Sequence, residues 1–237
     1  MGVHQKSIGI ESIKNESWKG SRILDIGCGD GKLSLEVLNR TGAKELVGID
    51  IDPKEIEKAK KISDERISFF VGDAANLQFE DESFNRIFCN ISFQQFLDKE
   101  KSLEEMFRVL KKRGLILINF IEEISPVLEE TLDILEKDYN ISLKKNKIKI
   151  SKEEFEKISK DRGFSILKST SKKDTFFFED IAEFLRGYSS TIDSKTKKLS
   201  ENEKEEFMQK LRQRFLDKKT SKGIPDTWKI VVAKLLK

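Results

Sequence analysis

Two kinds of hydrophobic pattern alternate along this chain. Short, nearly unbroken apolar runs occur at 23–26, 46–49, 67–71, 86–89, 115–120, 164–169 and 228–235, and each has the length of a strand. Between them apolar residues recur at helical spacing. Leu33, Val37 and Leu38 form one such set, and Ile56 and Ala59 follow Pro53. Leu103, Met106, Phe107 and Leu110 form a stripe that reads as core, and Val127, Leu128, Leu132 and Leu135 follow Pro126. Proline suits the first turn of a helix, where its missing N–H is no loss. A further helix opens at Ser151, with Glu154 three residues on as in a capping box, and stops at Gly163. Runs without polar alternation belong to strands covered on both faces, and strands alternating with helices build a parallel α/β sheet with right-handed crossovers. The stretch 170–227 is long for a connection between the last two strands. It holds two helical patterns, 179–188 with Ile181, Phe184 and Leu185, and 201–217 with Phe207, Leu211 and Phe215.

The candidate chemistry lies at 23–50, read as strand, glycine turn, helix, strand and acid. Asp25 stands inside the first strand, and Gly27-Cys28-Gly29-Asp30-Gly31 follows it. Glycines at a strand end let the chain turn sharply and let a ligand approach the main chain. Asp50, at the tip of the second strand, is placed to accept hydrogen bonds from ribose hydroxyls. The dinucleotide fingerprint needs a third glycine or alanine where this chain has Lys32, so a nicotinamide cofactor is disfavoured.

The G-x-G-x-G pattern behind Asp25 resembles motif I of the class I S-adenosylmethionine-dependent methyltransferases, and Asp50 matches that family's ribose-binding acid. Gly72-Asp73-Ala74, with Leu77, Phe79, Asp81, Ser83 and Phe84 after it, is similar to the family segment that reads the adenine edge. The loop from Asn90 to Asp98 resembles that of a narrower group, the trans-aconitate, malonyl-carrier-protein and juvenile-hormone-acid methyltransferases. Asn90, Gln94 and Asp98 agree with it, and Gln95 replaces its tryptophan. At 110–114 the family's proline and first glycine are missing, which leaves Gly114 to turn the chain, and Asn85 stands where the family has an acid.

This resemblance implies a Rossmann-like seven-stranded sheet, six strands parallel and the seventh antiparallel, with helices on both faces. It implies a single domain: an arm at 1–20, a cofactor-binding core at 21–120, and a substrate-side cap from 121–150 and 170–227, the latter inserted between strands six and seven. S-adenosyl-L-methionine is the implied cofactor, held by Asp25, Gly27, Cys28, Gly29, Gly31, Asp50, Ile51, Asp73, Ala74 and Asn90. Phe93, Gln94, Phe178, Arg186 and Tyr188 are the substrate candidates, Arg186 because a carboxylate needs a cation.

Composition narrows the setting. The 237 residues are 37% hydrophobic and 37% charged, enough apolar material for one core under a charged surface. Forty-five basic and 42 acidic residues leave a net charge of +3, which gives no electrostatic case for a nucleic-acid tract or a membrane footprint. No apolar run approaches the roughly 20 residues of a membrane span. Cys28 and Cys89 are the only cysteines and His4 the only histidine. A reduced, cytoplasmic protein without a metal is the expectation, acting on a small molecule as a monomer or weak dimer. The arm is expected as a short helix lying over the site or a frayed end. No motif histidine is present, and Asn90-Ile91-Ser92-Phe93 lacks the prolines of the nucleobase and glutamine amino-methyltransferases. Carboxyl O-methylation is therefore the leading reaction. The alternatives are C- or N-methylation of a lipid-like or aromatic metabolite, and a non-catalytic partner protein that keeps the cofactor pocket.

Overall fold

The structure, a computed structural model, describes residues 3–141, 150–188, 192 and 195–237. Helix α1 (Val3–Ile13) is followed by β1 (Arg22–Ile26), α2 (Lys32–Thr41), β2 (Glu45–Asp50), α3 (Pro53–Ala59), β3 (Ile67–Val71) and β4 (Phe84–Asn90). After a 3-10 turn (Phe93–Gln95) come α4 (Lys99–Val109), β5 (Leu110–Glu123), α5 (Pro126–Tyr139), α6 (Lys152–Asp161), β6 (Ser165–Phe178), α7 (Ile181–Gly187), α8 (Glu201–Leu216) and β7 (Ile224–Leu236).

The sheet runs in the order β3-β2-β1-β4-β5-β7-β6. Strands β1 to β5 pair in parallel, and the register sets Ile26 opposite Ile49, Asp50 opposite Val71 and Asn90 opposite Asn119. Arg113 and Gly114, early in β5, exchange backbone hydrogen bonds with Lys237, just past the end of β7, so β7 runs the other way. The architecture is thus the expected one, six parallel strands and an antiparallel seventh. The chain winds outward from β1 to β3 and returns to β4, and the reversal between β1 and β4 opens a crevice at the carboxyl ends of those strands.

The chain forms two compact units. The first comprises Met1–Glu122, Lys147–Lys172 and Ile230–Lys237, and the second Glu123–Asn146 and Lys173–Lys229. In the first, Leu24, Ile26, Val47, Ile49, Ile87 and Ile118 lie in one apolar cluster with α4 side chains Leu103 and Met106. A second cluster joins Ile23, Leu33, Val37 and Leu38 to Ile13 and Trp18. The N-terminal segment is therefore a helix packed on α2 rather than a frayed end. Gly9 fits closely there, since a Cβ on it would stand 2.6 Å from Leu33. In the second unit α8 buries Phe207, Leu211 and Phe215, and Phe184 of α7 packs edge-on against Phe215.

Several boundaries moved. β6 extends to Phe178, well past 169, and β7 begins at Ile224 rather than 228, so part of the expected 170–227 insertion is strand. Helix α4 starts at Lys99, where Asp98 caps it by accepting from the Lys101 N–H. Gly114 does not turn the chain. Residues 110–114 belong to β5, Arg113 carries the positive φ (+61°), and the pairing with β4 shifts register between Phe84 and Arg86. Asn85 replaces the family acid with a backbone bond, accepting from the Arg22 N–H at 3.0 Å. The lysine-rich stretch 142–149 lies outside the described residues.

Candidate functional site

Past Ile26 the backbone enters the left-handed region at Gly27, Gly29 and Gly31, with φ of +76°, +56° and +74°. The surroundings separate their roles. A Cβ at Gly27 would stand 2.4 Å from that of Ser92, and one at Gly31 2.5 Å from the Phe69 ring. At Gly29 the nearest atom is Glu55 Oε2 at 4.0 Å. Protein atoms press on the outer two glycines, whereas Gly29 offers open space beside bare main chain, a cradle for a ligand.

Strand β2 fixes this turn. The Gly27 and Cys28 N–H groups donate to the Ile49 carbonyl at 2.8 and 3.0 Å, and the Gly29 N–H donates to Asp50 Oδ2 at 2.9 Å. Asp50 Oδ1 accepts from the Asp52 N–H at 3.0 Å. The Gly72 N–H donates to the Asp50 carbonyl, which brings the β3 turn alongside. There Asp73 is exposed and accepts from the Ala75 N–H at 2.9 Å, while Ala74 is buried. A cleft of about 370 Å³ opens between Phe70, Gly72, Asp73 and Phe79. Ile51, just past Asp50, is 67% exposed. Gly31 gives α2 no side-chain cap.

Asp25 and Cys28 lie beneath the glycine turn. Asp25 is buried and accepts from Ser34 Oγ at 2.6 Å. Burial pushes its pKa up to about 7; the Ser34 hydrogen bond opposes this and the charge of Asp50 adds to it. The Cys28 side chain packs with Ile56, Ala59 and Phe69. Burial, and then the charges of Asp25 and Asp50, push its thiol well above the usual range, so Cys28 contributes backbone to the turn and apolar bulk below it.

At the ends of β4 and β5 two amides meet. Asn119 Nδ2 donates to Asn90 Oδ1 and to Ser12 Oγ, both at 2.9 Å, and Asn90 Nδ2 donates to the Gln5 carbonyl at 2.9 Å. These bonds anchor α1 to the sheet edge. Ile91 follows with φ +53°, a strained value for a β-branched residue, its N–H bonded to the Asn119 carbonyl at 2.7 Å. Gln94 is buried and donates from Nε2 to the Ile91 carbonyl. Gln94 Oε1 and Asn119 Oδ1 are buried and accept no hydrogen bond among the described residues. Ser92 Oγ donates to the Ile26 carbonyl and so joins this loop to the glycine turn. Phe93 is fully buried against Phe96, Phe120 and Phe155, which makes it core rather than a substrate contact.

The remaining substrate candidates belong to the second unit. Phe178 is buried against Phe184 and Tyr188. Tyr188 is also buried. Its hydroxyl donates to Asp226 Oδ2 at 2.6 Å, and Trp228 Nε1 reaches the same carboxylate at 2.8 Å. Burial, and then the Asp226 charge, push the Tyr188 phenol above its ordinary value. Arg186 is exposed. Sequence reasoning missed Ser34, Ser92, Asn119 and Asp226. Asn119 had a signal, as the one amide in an apolar strand; so did Asp226, which shares an inward face with Ile224, Trp228 and Ile230.

Comparison with known proteins agrees with this geometry. A model of the methyltransferase domain matches residues 17–180. Demethylmenaquinone methyltransferase of Deinococcus radiodurans is 35% identical over 103 residues, 42% of this chain and 43% of that protein. Norajmaline N-methyltransferase of Rauvolfia serpentina is 36% identical over 107 residues, 43% of this chain and 36% of that one. The chain thus spans less than half the length of either relative. The crystal structure of a putative methyltransferase from Bacillus halodurans C-125 shares the fold, with a TM-score of 0.65 at 20% identity over 97% of this chain and 98% of that one. The chain belongs to the methyltransferase domain family, and S-adenosylmethionine is its cofactor.

Proposed function

We propose that the chain transfers the methyl group of S-adenosylmethionine to a small-molecule acceptor, with a carboxylate oxygen as the leading acceptor. The observation that carries this reading is the open left-handed backbone at Gly29, hydrogen-bonded to the Asp50 carboxylate beside the β1–β4 switch point. The residues fit the cofactor. Asp50 would hold the ribose hydroxyls, Asp73 and Ala74 the adenine edge, and the backbone of 27–31 the remainder. When bound, S-adenosylmethionine supplies a methyl group on a sulfonium that departs as a neutral thioether.

The work left to the chain is positioning and exclusion of water. The Asn90–Asn119 pair, fixed by α1, holds the ends of β4 and β5. The strained Ile91 is locked between Asn119 and Gln94. A carboxylate is already anionic and needs no general base, which suits a set of motifs without histidine. The resemblance of Asn90, Gln94 and Asp98 to the trans-aconitate and juvenile-hormone-acid group supports the same acceptor.

A nitrogen or carbon acceptor is the second reading. Gln94 Oε1 and Asn119 Oδ1 are buried acceptors suited to an N–H or O–H donor, and the names of the two relatives point to a quinone and an amine. A labelled-methyl assay against cell extract separates the two. A carboxyl methyl ester releases its label as methanol in alkali, whereas N- and C-methyl products keep it. A labelled product stable in alkali refutes the carboxylate. Binding of S-adenosylhomocysteine without any labelled product indicates the non-catalytic partner, and calorimetric preference for NAD overturns the whole reading.

A further inference from the structure

Charge is nearly balanced over the whole chain, yet it is unevenly spread. Between Lys210 and Lys222 six cations stand against a single acid, Asp217. Helix α8 is divided along its length, with Glu201, Glu203, Glu205 and Glu206 against Lys204 in its first half and Lys210, Arg212 and Arg214 in its second. Lys210 is engaged by Asp138 and Glu206, and Lys218 by Glu130. Arg212, Arg214 and Lys219 are exposed and make no ion pair among the described residues. Lys222 is exposed too, 5.9 Å from the centre of the Phe177 ring.

Apolar surface lies among these cations. Leu216 is 67% exposed and Phe177 37%. A groove of about 240 Å³ is lined by Ile181, Phe215, Leu216 and Ile224, with Arg212 and Lys219 at its rim. Asp180, also on the rim, is occupied as the N-cap of α7. The buried stripe of α8 already has Phe207, Leu211 and Phe215, so the exposure of Leu216 is not required by the packing of that helix.

We propose that this face of the second unit docks on an anionic phospholipid bilayer, with Leu216 and Phe177 entering the headgroup boundary and Arg212, Lys219 and Lys222 meeting lipid phosphates. Charge complementarity and apolar insertion together define an interfacial site. A nucleic acid would satisfy the cations but leaves the exposed leucine without a partner, since bases stack on aromatic faces. The proposal stands apart from the methyl-transfer reading, because docking needs neither cofactor nor turnover.

Flotation of the full chain with lipid vesicles tests it. Vesicles containing phosphatidylglycerol should carry the protein upward and release it at high salt, while phosphatidylcholine alone should not. Neutralising one cation, as in Arg212→Gln, should weaken binding about fivefold. The threefold variant R212Q/K219Q/K222Q should lose it, and Leu216→Ser should weaken it severalfold at unchanged charge. All four positions are exposed, and an unchanged circular dichroism spectrum confirms that the variants fold. No binding to anionic vesicles, or equal binding by the threefold variant, overturns the proposal. So does tighter binding to single-stranded RNA that follows the cations and ignores Leu216, which assigns the face to a nucleic acid.

Discussion

At the scale of single residues, the three motif glycines are not equivalent. Gly29→Ala places its Cβ in open space, so the free protein should lose only about 1 kcal/mol for left-handed backbone. The same methyl group intrudes on the ligand's approach, and affinity for S-adenosylhomocysteine should fall at least about tenfold, since one lost charge-assisted contact is already about 1.5–3 kcal/mol. Gly31→Ala drives a methyl into Phe69 and Ile62 and should destabilise the fold by about 1–3 kcal/mol from overpacking, before any effect on ligand. Urea denaturation and calorimetry on both variants read the two effects separately. Parental affinity in Gly29→Ala would remove that open face from the cofactor site.

Asp25 makes a pH prediction whose sign follows from burial. Its folded pKa, about 7, lies above the unfolded value of 3.8, so the native state holds a proton that the unfolded chain has already released. This contribution is fully present below about pH 4 and is lost as pH rises toward 7. At about 1.4 kcal/mol per pKa unit the loss amounts to roughly 4 kcal/mol at most. Asn at this position can still accept from Ser34 and cannot ionise. Asp25→Asn should therefore flatten the decline in thermal midpoint between pH 4 and 7; an unchanged slope would assign it to other groups. The sequence made Asp25 visible as part of a motif but not as a buried acid. Ser34, which sets its environment, lies in a helical turn with no pattern to mark it.

At the scale of elements, what could be read depended on burial. Strands β1, β2, β4 and β5 are enclosed, and their apolar runs announced them. Strand β6 is an edge strand exposed along most of its length, and its Ser-Lys-Lys-Asp stretch at 171–174 reads as loop. Charged side chains are what an edge strand uses to deter further pairing, so the polarity that hid this element belongs to its position. Helix α1 was ambiguous for a related reason. Besides the buried Ile8 and Ile13, it is anchored through amide contacts, with Gln5 on Asn90 and Ser12 on Asn119, which no hydrophobic pattern reports. Gly9 allows that approach. Gly9→Leu should force the helix off Leu33 and Asn90, destabilise the protein by about 1–3 kcal/mol, and open the N-terminus to limited proteolysis. Protease resistance equal to the parent's would show that this contact is dispensable.

At the scale of the whole molecule, the two units divide the expected residues between them. Gly27, Gly29, Gly31, Asp50, Asp73 and Asn90 all fall in the first, and Phe178, Arg186 and Tyr188 in the second, where Asp226 and Trp228 bond to Tyr188. The second unit is centred on a carboxylate, since Asp226 is fully buried and accepts from both Tyr188 and Trp228. Removing this buried acceptor leaves the Tyr188 hydroxyl without it, at about 1–3 kcal/mol, while Trp228 Nε1 keeps the Tyr188 oxygen at 2.7 Å. Asp226→Ala should thus lower stability by about 1–3 kcal/mol, more than Tyr188→Phe, which leaves Trp228 bonded to the acid and should cost about 1 kcal/mol. The cofactor residues lie elsewhere in the chain. At a temperature where both variants remain folded, calorimetry with S-adenosylhomocysteine should return the parental affinity. A weakened affinity at unchanged stability would mean that Asp226 serves the site rather than the second unit's core.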